Sequence, residues 1–244
     1  MKKIFYLVIC AMACLVSCEE KETPVTMENG HIYVDLGLSV KWATCNVGAN
    51  APEEYGDYFA WGEVKTKKNY GSENYKWGYT YYDEYDYGMT KYTKYCTNSE
   101  YGTVDNKTTL ELSDDAASVN WGGSWRMPTK AELEELRKQC IWTWTTLNGV
   151  YGYLVTSGKS GFTDNSIFLP IAGRRNGMSL VDTGSDGYGF YWSNSLNVTM
   201  PSFAWILMFD DDYDEEDDEY YYENYVEVTC ISRSHGFPVR PVCP

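Results

Sequence analysis

The chain contains one strongly specified helix, and everything after it reads as short aromatic strand runs separated by turn residues. In Thr129-Lys-Ala-Glu132 the threonine hydroxyl can accept from the Glu132 N–H while the glutamate carboxylate reaches back, and Pro128 fixes the entry. Leu133, Leu136 and Cys140 then recur at spacings of three and four, forming one apolar stripe, with Glu134, Glu135, Arg137 and Lys138 left to water. A shorter helix is expected over residues 113–118, where acids sit at the positive N-terminal end. Downstream, residues 142–147 and 150–155 flank Asn148-Gly149, a dipeptide that favours the tight turn of a two-residue hairpin. Further strands are expected over 166–170, 187–192, 203–209, 225–231 and 236–242. Upstream, residues 31–35 and 38–45, split by a Gly37 turn, and residues 58–62 read the same way. Two short helices followed by many strands specify an α+β fold with segregated elements, not a βαβ alternation.

The first residues bear on compartment. Lys2 and Lys3 lead an apolar run from Ile4 to Val16, too short to span a bilayer as a helix and patterned like a secretory signal. It ends in Leu15-Val-Ser-Cys18, which resembles a bacterial lipobox. Residues 1–17 are then a signal peptide, and Cys18 is the lipidated first residue of the mature protein. Acyl chains of the palmitate class, at ~0.8 kcal/mol per buried methylene, would hold it permanently on the outer membrane. Residues 18–30, polar with Pro24 and Gly30, read as the lipidated cysteine and a tether. Loss of Lys2 and Lys3, with no acid lost, takes the net charge from −15 to −17. Such a chain is repelled by phosphate backbones, so no nucleic acid partner is expected. With 43% hydrophobic residues and nine tryptophans, the acidity does not imply disorder.

An exported setting leaves Cys45, Cys96, Cys140, Cys230 and Cys243 available for oxidation. They contain no CxxC, which argues against zinc. One or two disulfides and a spare buried thiol are expected. Cys45, Cys96, Cys140 and Cys243 are the candidates, and Cys45 with Cys243 is the first pair to test, though several pairings are compatible with the sequence.

Two biased segments interrupt the strands. Residues 70–101 hold ten tyrosines in 32 positions with no single periodicity, and the Tyr-rich insertion as a whole, 64–101, reads as a long ordered loop. Its composition is that of antibody contact surfaces, which makes Tyr81, Tyr82 and Tyr85 candidate ligand-binding residues, against the alternative that the tyrosines pack internally. The acidic loop 210–224 opens with nine carboxylates in ten positions. Asp210, Asp211, Asp212 and Asp214 could together hold a calcium ion, but there is no EF-hand spacing, and like charges in a row splay outward. A solvated loop is the preferred reading, with no cofactor.

Several separated motifs stand out: Asp35-Leu-Gly-Leu38, Trp42-Ala-Thr-Cys-Asn-Val-Gly48, Trp61-Gly-Glu63, Asn120-Trp-Gly-Gly-Ser-Trp-Arg-Met-Pro-Thr-Lys-Ala-Glu132, Phe168-Leu-Pro170, Tyr191-Trp-Ser193 and Gly236-Phe-Pro-Val-Arg-Pro-Val242. In this order they resemble the motifs of the Fibrobacter succinogenes major paralogous domain family, abundant in surface lipoproteins of Bacteroidota. The similarity spans residues 31–244. Arg126-Met-Pro-Thr-Lys-Ala-Glu132 is also similar to a segment of the formylglycine-generating enzyme family. That likeness implies a C-type-lectin-like fold: a twisted antiparallel sheet, two helices, long loops, and terminal strands side by side, a closure that would bring Cys45 near Cys243. Glu19-Glu-Lys-Glu22 resembles the export tags of Bacteroidota surface lipoproteins, which implies the outer face of the cell envelope.

The resemblance carries no agreed activity. The calcium-binding tripeptides of sugar-binding lectins are absent, and Trp192-Ser-Asn194 is the nearest approach to one, so Trp192 and Asn194 join the candidate ligand-binding residues. There is no nucleophile elbow, phosphate loop or zinc-protease motif, and His31 and His235 are the only histidines. The expectation is a non-catalytic surface binding or adhesion module for a glycan or a surface protein. Specificity is expected in residues 64–101, 174–187 and 210–224. The alternatives are an oxidase or carbohydrate hydrolase, and a structural subunit joined through an open strand edge.

Overall fold

The computed structural model describes residues 26–82, 88–211 and 225–244. Among them are fourteen strands, paired antiparallel throughout, and two α-helices. This is the β-rich α+β arrangement expected from the strand runs. No helix among the described residues is long and apolar enough to cross a membrane.

Strands β1 (Met27–Glu28), β2 (His31–Val34) and β3 (Lys41–Ala43) open the fold. The chain returns at its far end to add a last strand, Val242–Cys243, to their free edge, with Val242 opposite Trp42 and Cys243 opposite Lys41. Within the tyrosine-rich insertion, β4 (Gly78–Tyr82) and β5 (Gly88–Tyr92) pair as a hairpin. The segment expected to be loop is therefore partly regular. Helix α1 (Ala116–Trp121) lies three residues later than expected, because Asp115 is its cap, accepting from the Ser118 N–H at 3.0 Å. Helix α2 (Lys130–Gln139) has the full capping box. Cys140, expected to continue its apolar stripe, already belongs to β6 (Cys140–Leu147).

Asn148 and Gly149 adopt φ of 50° and 81°, and Leu147 faces Val150 across them, so β6 and β7 (Val150–Ser157) form the two-residue hairpin. Strand β8 (Ser166–Pro170) completes that sheet. A small hairpin, β9 (Arg174–Asn176) and β10 (Ser179–Val181), follows, then the sheet of β11 (Tyr188–Leu196), β12 (Phe203–Asp210) and β13 (Val226–Ser232). The last strand is β14 (Val242–Cys243).

The β11–β13 sheet has a core on each face, so its strands read as continuous apolar runs. Phe190, Trp192 and Ile206 pack on Trp61, Trp125 and Phe237, while Tyr191, Leu207 and Phe209 pack on Leu133, Leu136, Trp142 and Trp42. A third cluster, including Tyr58, Tyr70, Tyr75, Tyr92 and Cys96, is the insertion's own core. Residues 58–62 and 236–242 meet by a single bridge, Phe59 to Phe237, and do not form full strands. Pro238 and Pro241 lack the N–H that a ladder needs.

The expected disulfides are not formed: Cys45, Cys96, Cys140, Cys230 and Cys243 are all free thiols. The terminal strands do lie side by side, but register keeps the first candidate pair apart. Cys243 faces Lys41, whereas Cys45 lies four residues further on, past the end of β3 where the chain bends. Cys96 and Cys140 sit in different cores, one in the insertion and one against α2 and β6–β8.

Candidate functional site

The motif residues build the scaffold. Trp42, Trp61, Trp125, Trp192 and Arg240 are all at most 1% exposed. Arg126 forks onto Glu132 at 2.6 and 2.8 Å, and Glu132 also accepts the Thr129 N–H at 2.7 Å. Burial pushes the Glu132 carboxyl up, but Arg126 and the Thr129 N–H more than offset this and hold it below its ordinary value. Arg240 donates to Asn46 Oδ1 at 2.8 Å and to the carbonyls of Ala43, Thr44 and Phe168 at 2.8–3.1 Å. It thereby ties the end of the chain to β3 and β8.

Arg233 does the same for the insertion. Its fully buried guanidinium donates to Tyr75 Oη at 2.9 Å and to the carbonyls of Lys94, Tyr95 and Pro201 at 2.9–3.1 Å. The rings of Trp61, Tyr75, Tyr92 and Tyr95 surround it at 4.6–6.0 Å. Four insertion tyrosines, Tyr70, Tyr75, Tyr92 and Tyr95, are thus spent on packing.

Where the insertion meets the β9–β10 hairpin a cleft of about 520 Å³ opens, lined by Asp57, Tyr58, Thr66, Lys67, Lys68, Tyr70, Arg175 and Met178 among others. Its walls are stitched together by the backbone. The Tyr70 N–H donates to the Gly177 carbonyl at 2.8 Å, and Arg175 and Gly236 exchange both main-chain bonds at 2.8 and 2.9 Å. Gly236 is required there, because a Cβ would come within 2.5 Å of the Tyr70 ring and 2.9 Å of Arg175 Cβ. The Tyr70 hydroxyl donates to the Tyr58 carbonyl, and the Tyr58 hydroxyl to the Ala172 carbonyl. Burial raises both phenols above their ordinary values, so they are neutral donors, although the Arg175 cation pulls each the other way.

The cleft's cations are not equivalent. Lys67 is paired with Glu63 at 2.8 Å and bonded to the Asn74 carbonyl at 3.0 Å. Arg175 stands over the Tyr58 ring at 5.5 Å, and among the described residues its guanidinium has no hydrogen bond or ion pair. Lys68 likewise has none and is exposed. A second hollow of about 470 Å³, near the start of α2, is lined by Lys130, Ser195 and Trp205. There the Lys130 ammonium covers the Trp205 ring at 3.2 Å, and Thr129 caps the helix end.

The residues expected from sequence to contact ligand do not converge. Trp192 and Asn194 are inside the core rather than on a contact surface: the indole N–H donates to the Phe59 carbonyl at 2.7 Å and the Asn194 amide to the Met127 carbonyl at 3.3 Å. They sit on a strand with a core on both faces, which leaves no room for a ligand. Tyr81 and Tyr82 are on β4, with Tyr82 63% exposed, while Tyr85 lies outside the described residues. Asp210 ends β12 and Asp211 is exposed; Asp212 and Asp214, like Cys18, lie outside the described residues. No metal-holding group of His, Cys, Asp or Glu occurs among the described residues.

Sequence reasoning placed specificity in 64–101 and 174–187, which contain Thr66–Tyr70 and Arg175–Met178, but it missed Arg175, Lys68 and Asp57. The available signal was local charge: Lys65, Lys67, Lys68, Arg174 and Arg175 are crowded into two short stretches of an otherwise acidic chain. Comparison with family models, with curated proteins and with solved structures returned no match.

Proposed function

We propose that this is a lipid-anchored protein of the cell surface whose C-type-lectin-like domain binds a ligand without transforming it, in the cleft between the insertion and the β9–β10 hairpin. The observation that carries this reading is the contrast between that cleft and the rest of the polar interior. Arg175 has free donors at an open site, whereas Arg126, Arg233 and Arg240 are committed to carboxylate, carbonyl and hydroxyl partners.

The lectin-like scaffold is supported by the pairing of β3 with β14, the two short helices and the long ordered insertion. Lipidation rests on the Leu15-Val-Ser-Cys18 motif. The oxidase alternative is weakened by the thiols themselves. Burial pushes Cys140 up to about 11 and raises Cys243 as well, away from the thiolate that such chemistry needs. His31 is stacked on Trp121 at 3.7 Å and is poorly placed as a base.

The test is to probe glycan and surface-protein arrays with the full chain, held in detergent, beside an Arg175→Gln variant. Binding that is lost in the variant, with no turnover of the bound species, is the expected result. Turnover by the purified protein would sink the reading. Mass spectrometry should find acyl chains on Cys18, and protease shaving of intact cells should remove the domain.

A further inference from the structure

We infer that the cleft takes a sugar-sized polyol bearing a single negative charge, a carboxylate or a sulfate ester, with the Arg175 guanidinium as its anchor; this rests on the binding role proposed above. The first argument is donor chemistry. Arg175 offers the planar fork that matches a carboxylate or sulfate edge, and among the described residues nothing occupies it. Its backbone is fixed by the paired bonds to Gly236, and its guanidinium stands 5.5 Å from the Tyr58 ring centroid, so the anchor is presented from a rigid wall of the cleft.

Charge balance sets the valence. Lys67 is neutralised by Glu63, which leaves Arg175 and Lys68 facing Asp57, a surplus of one positive charge. A monoanion balances it. A phosphate monoester brings nearly two charges and overshoots, and a zwitterionic amino acid leaves the surplus uncompensated.

The remaining groups ask for hydroxyls. Asp57 is acceptor-only and Thr66 both donates and accepts, so these lining groups suit hydroxyl donors rather than an apolar body. Gly48, at φ 82°, leaves the room that Asp57 occupies, since a Cβ there would lie 2.6 Å from the carboxylate. The volume, about 520 Å³, lies within the range of small-ligand sites, roughly 300–1,000 Å³.

The experiment titrates the full chain in detergent with galacturonate, galactose 6-sulfate, galactose and glutamate by calorimetry. In parallel, phenylglyoxal modification of Arg175 is followed by peptide mass spectrometry. At least one acidic sugar should bind at least about tenfold more tightly than galactose or glutamate and protect Arg175, and whichever binds identifies the anionic group. Arg175→Gln should lose about tenfold or more, and Arg175→Lys, which keeps charge but not the fork, several-fold, with both variants melting close to the unmodified chain. Equal binding of galactose, preference for glutamate, or acidic-sugar binding that neither protects Arg175 nor responds to its substitution would overturn the inference. If acidic sugars fail while an array ligand binds through Arg175, the ligand class is wrong and the binding role stands. If neither binds through Arg175, both fall.

Discussion

Arg233 carries a full charge with no exposed surface, and its partners are three carbonyls, a phenol and four rings rather than a carboxylate. Truncating it leaves those acceptors unpaired. Charge-assisted hydrogen bonds contribute about 1.5–3 kcal/mol each and do not add fully. Arg233→Ala is therefore expected to cost on the order of 3–5 kcal/mol in chemical denaturation. Arg233→Lys should recover less than half, because an ammonium cannot reach four acceptors in one plane. Gly236→Ala is the complementary case. Its methyl collides with Tyr70 and Arg175, and overpacking of this kind costs about 1–3 kcal/mol. Because the collision is under the cleft, ligand affinity should fall along with the melting temperature. Neither role was legible in the sequence. Arg233 and Arg175 look like ordinary surface cations in a chain that is short of them, and only the fold shows which one is buried and which is left open.

Legibility was greatest where local chemistry alone decides structure. Thr129 and Glu132 cap α2, and Asn148-Gly149 turns β6 into β7, because each needs only its immediate neighbours. Thr129→Ala should cost about 1 kcal/mol, read as a lowered melting temperature, and Glu132→Gln should add to the loss by weakening the fork from Arg126. Legibility failed where tertiary contacts decide. The tyrosine-rich insertion has no period of its own because its tyrosines serve two masters: Tyr75, Tyr92 and Tyr95 turn inward around Arg233 and Tyr70 inward onto Tyr58, while Tyr79 and Tyr82 of the β4–β5 hairpin face water. Trp192 and Asn194 resembled a ligand motif only because a strand buried on both faces gives no sequence sign of which polar atoms are already used.

Across the whole molecule, acid should loosen the fold before it reaches the carboxylates. An unfolded histidine takes its proton near pH 6.5. Burial lowers both His31 and His235 below that, with the Arg174 cation adding to the effect at His235. Between the two values the unfolded chain binds more protons, so the melting temperature should fall as pH drops from about 7.5 to 5.5. A flat profile in the His31→Gln, His235→Gln double variant would assign the effect to these rings. Glu132 extends the trend: its contribution is complete above the ordinary glutamate value and is lost as pH falls through its depressed one. Asp115 opposes it at the acid end, since burial raises its pKa and proton uptake then favours the folded state. Because all five described thiols are free, reductant should leave the melting temperature unmoved, and alkylation after denaturation without reduction should label every one.

The pairing of β3 with β14 has a kinetic corollary. The third strand of the fold waits for a partner about two hundred residues away, so its edge stays open until translation has delivered that segment. A nascent chain stalled short of Arg240 would hold β3, Trp42 and the Ala43 and Thr44 carbonyls without their closing neighbours. Loss of residues 240–244 should accordingly disable folding far more than an equal deletion at the tip of β9–β10, and the yield of folded protein from the two truncations would measure the difference.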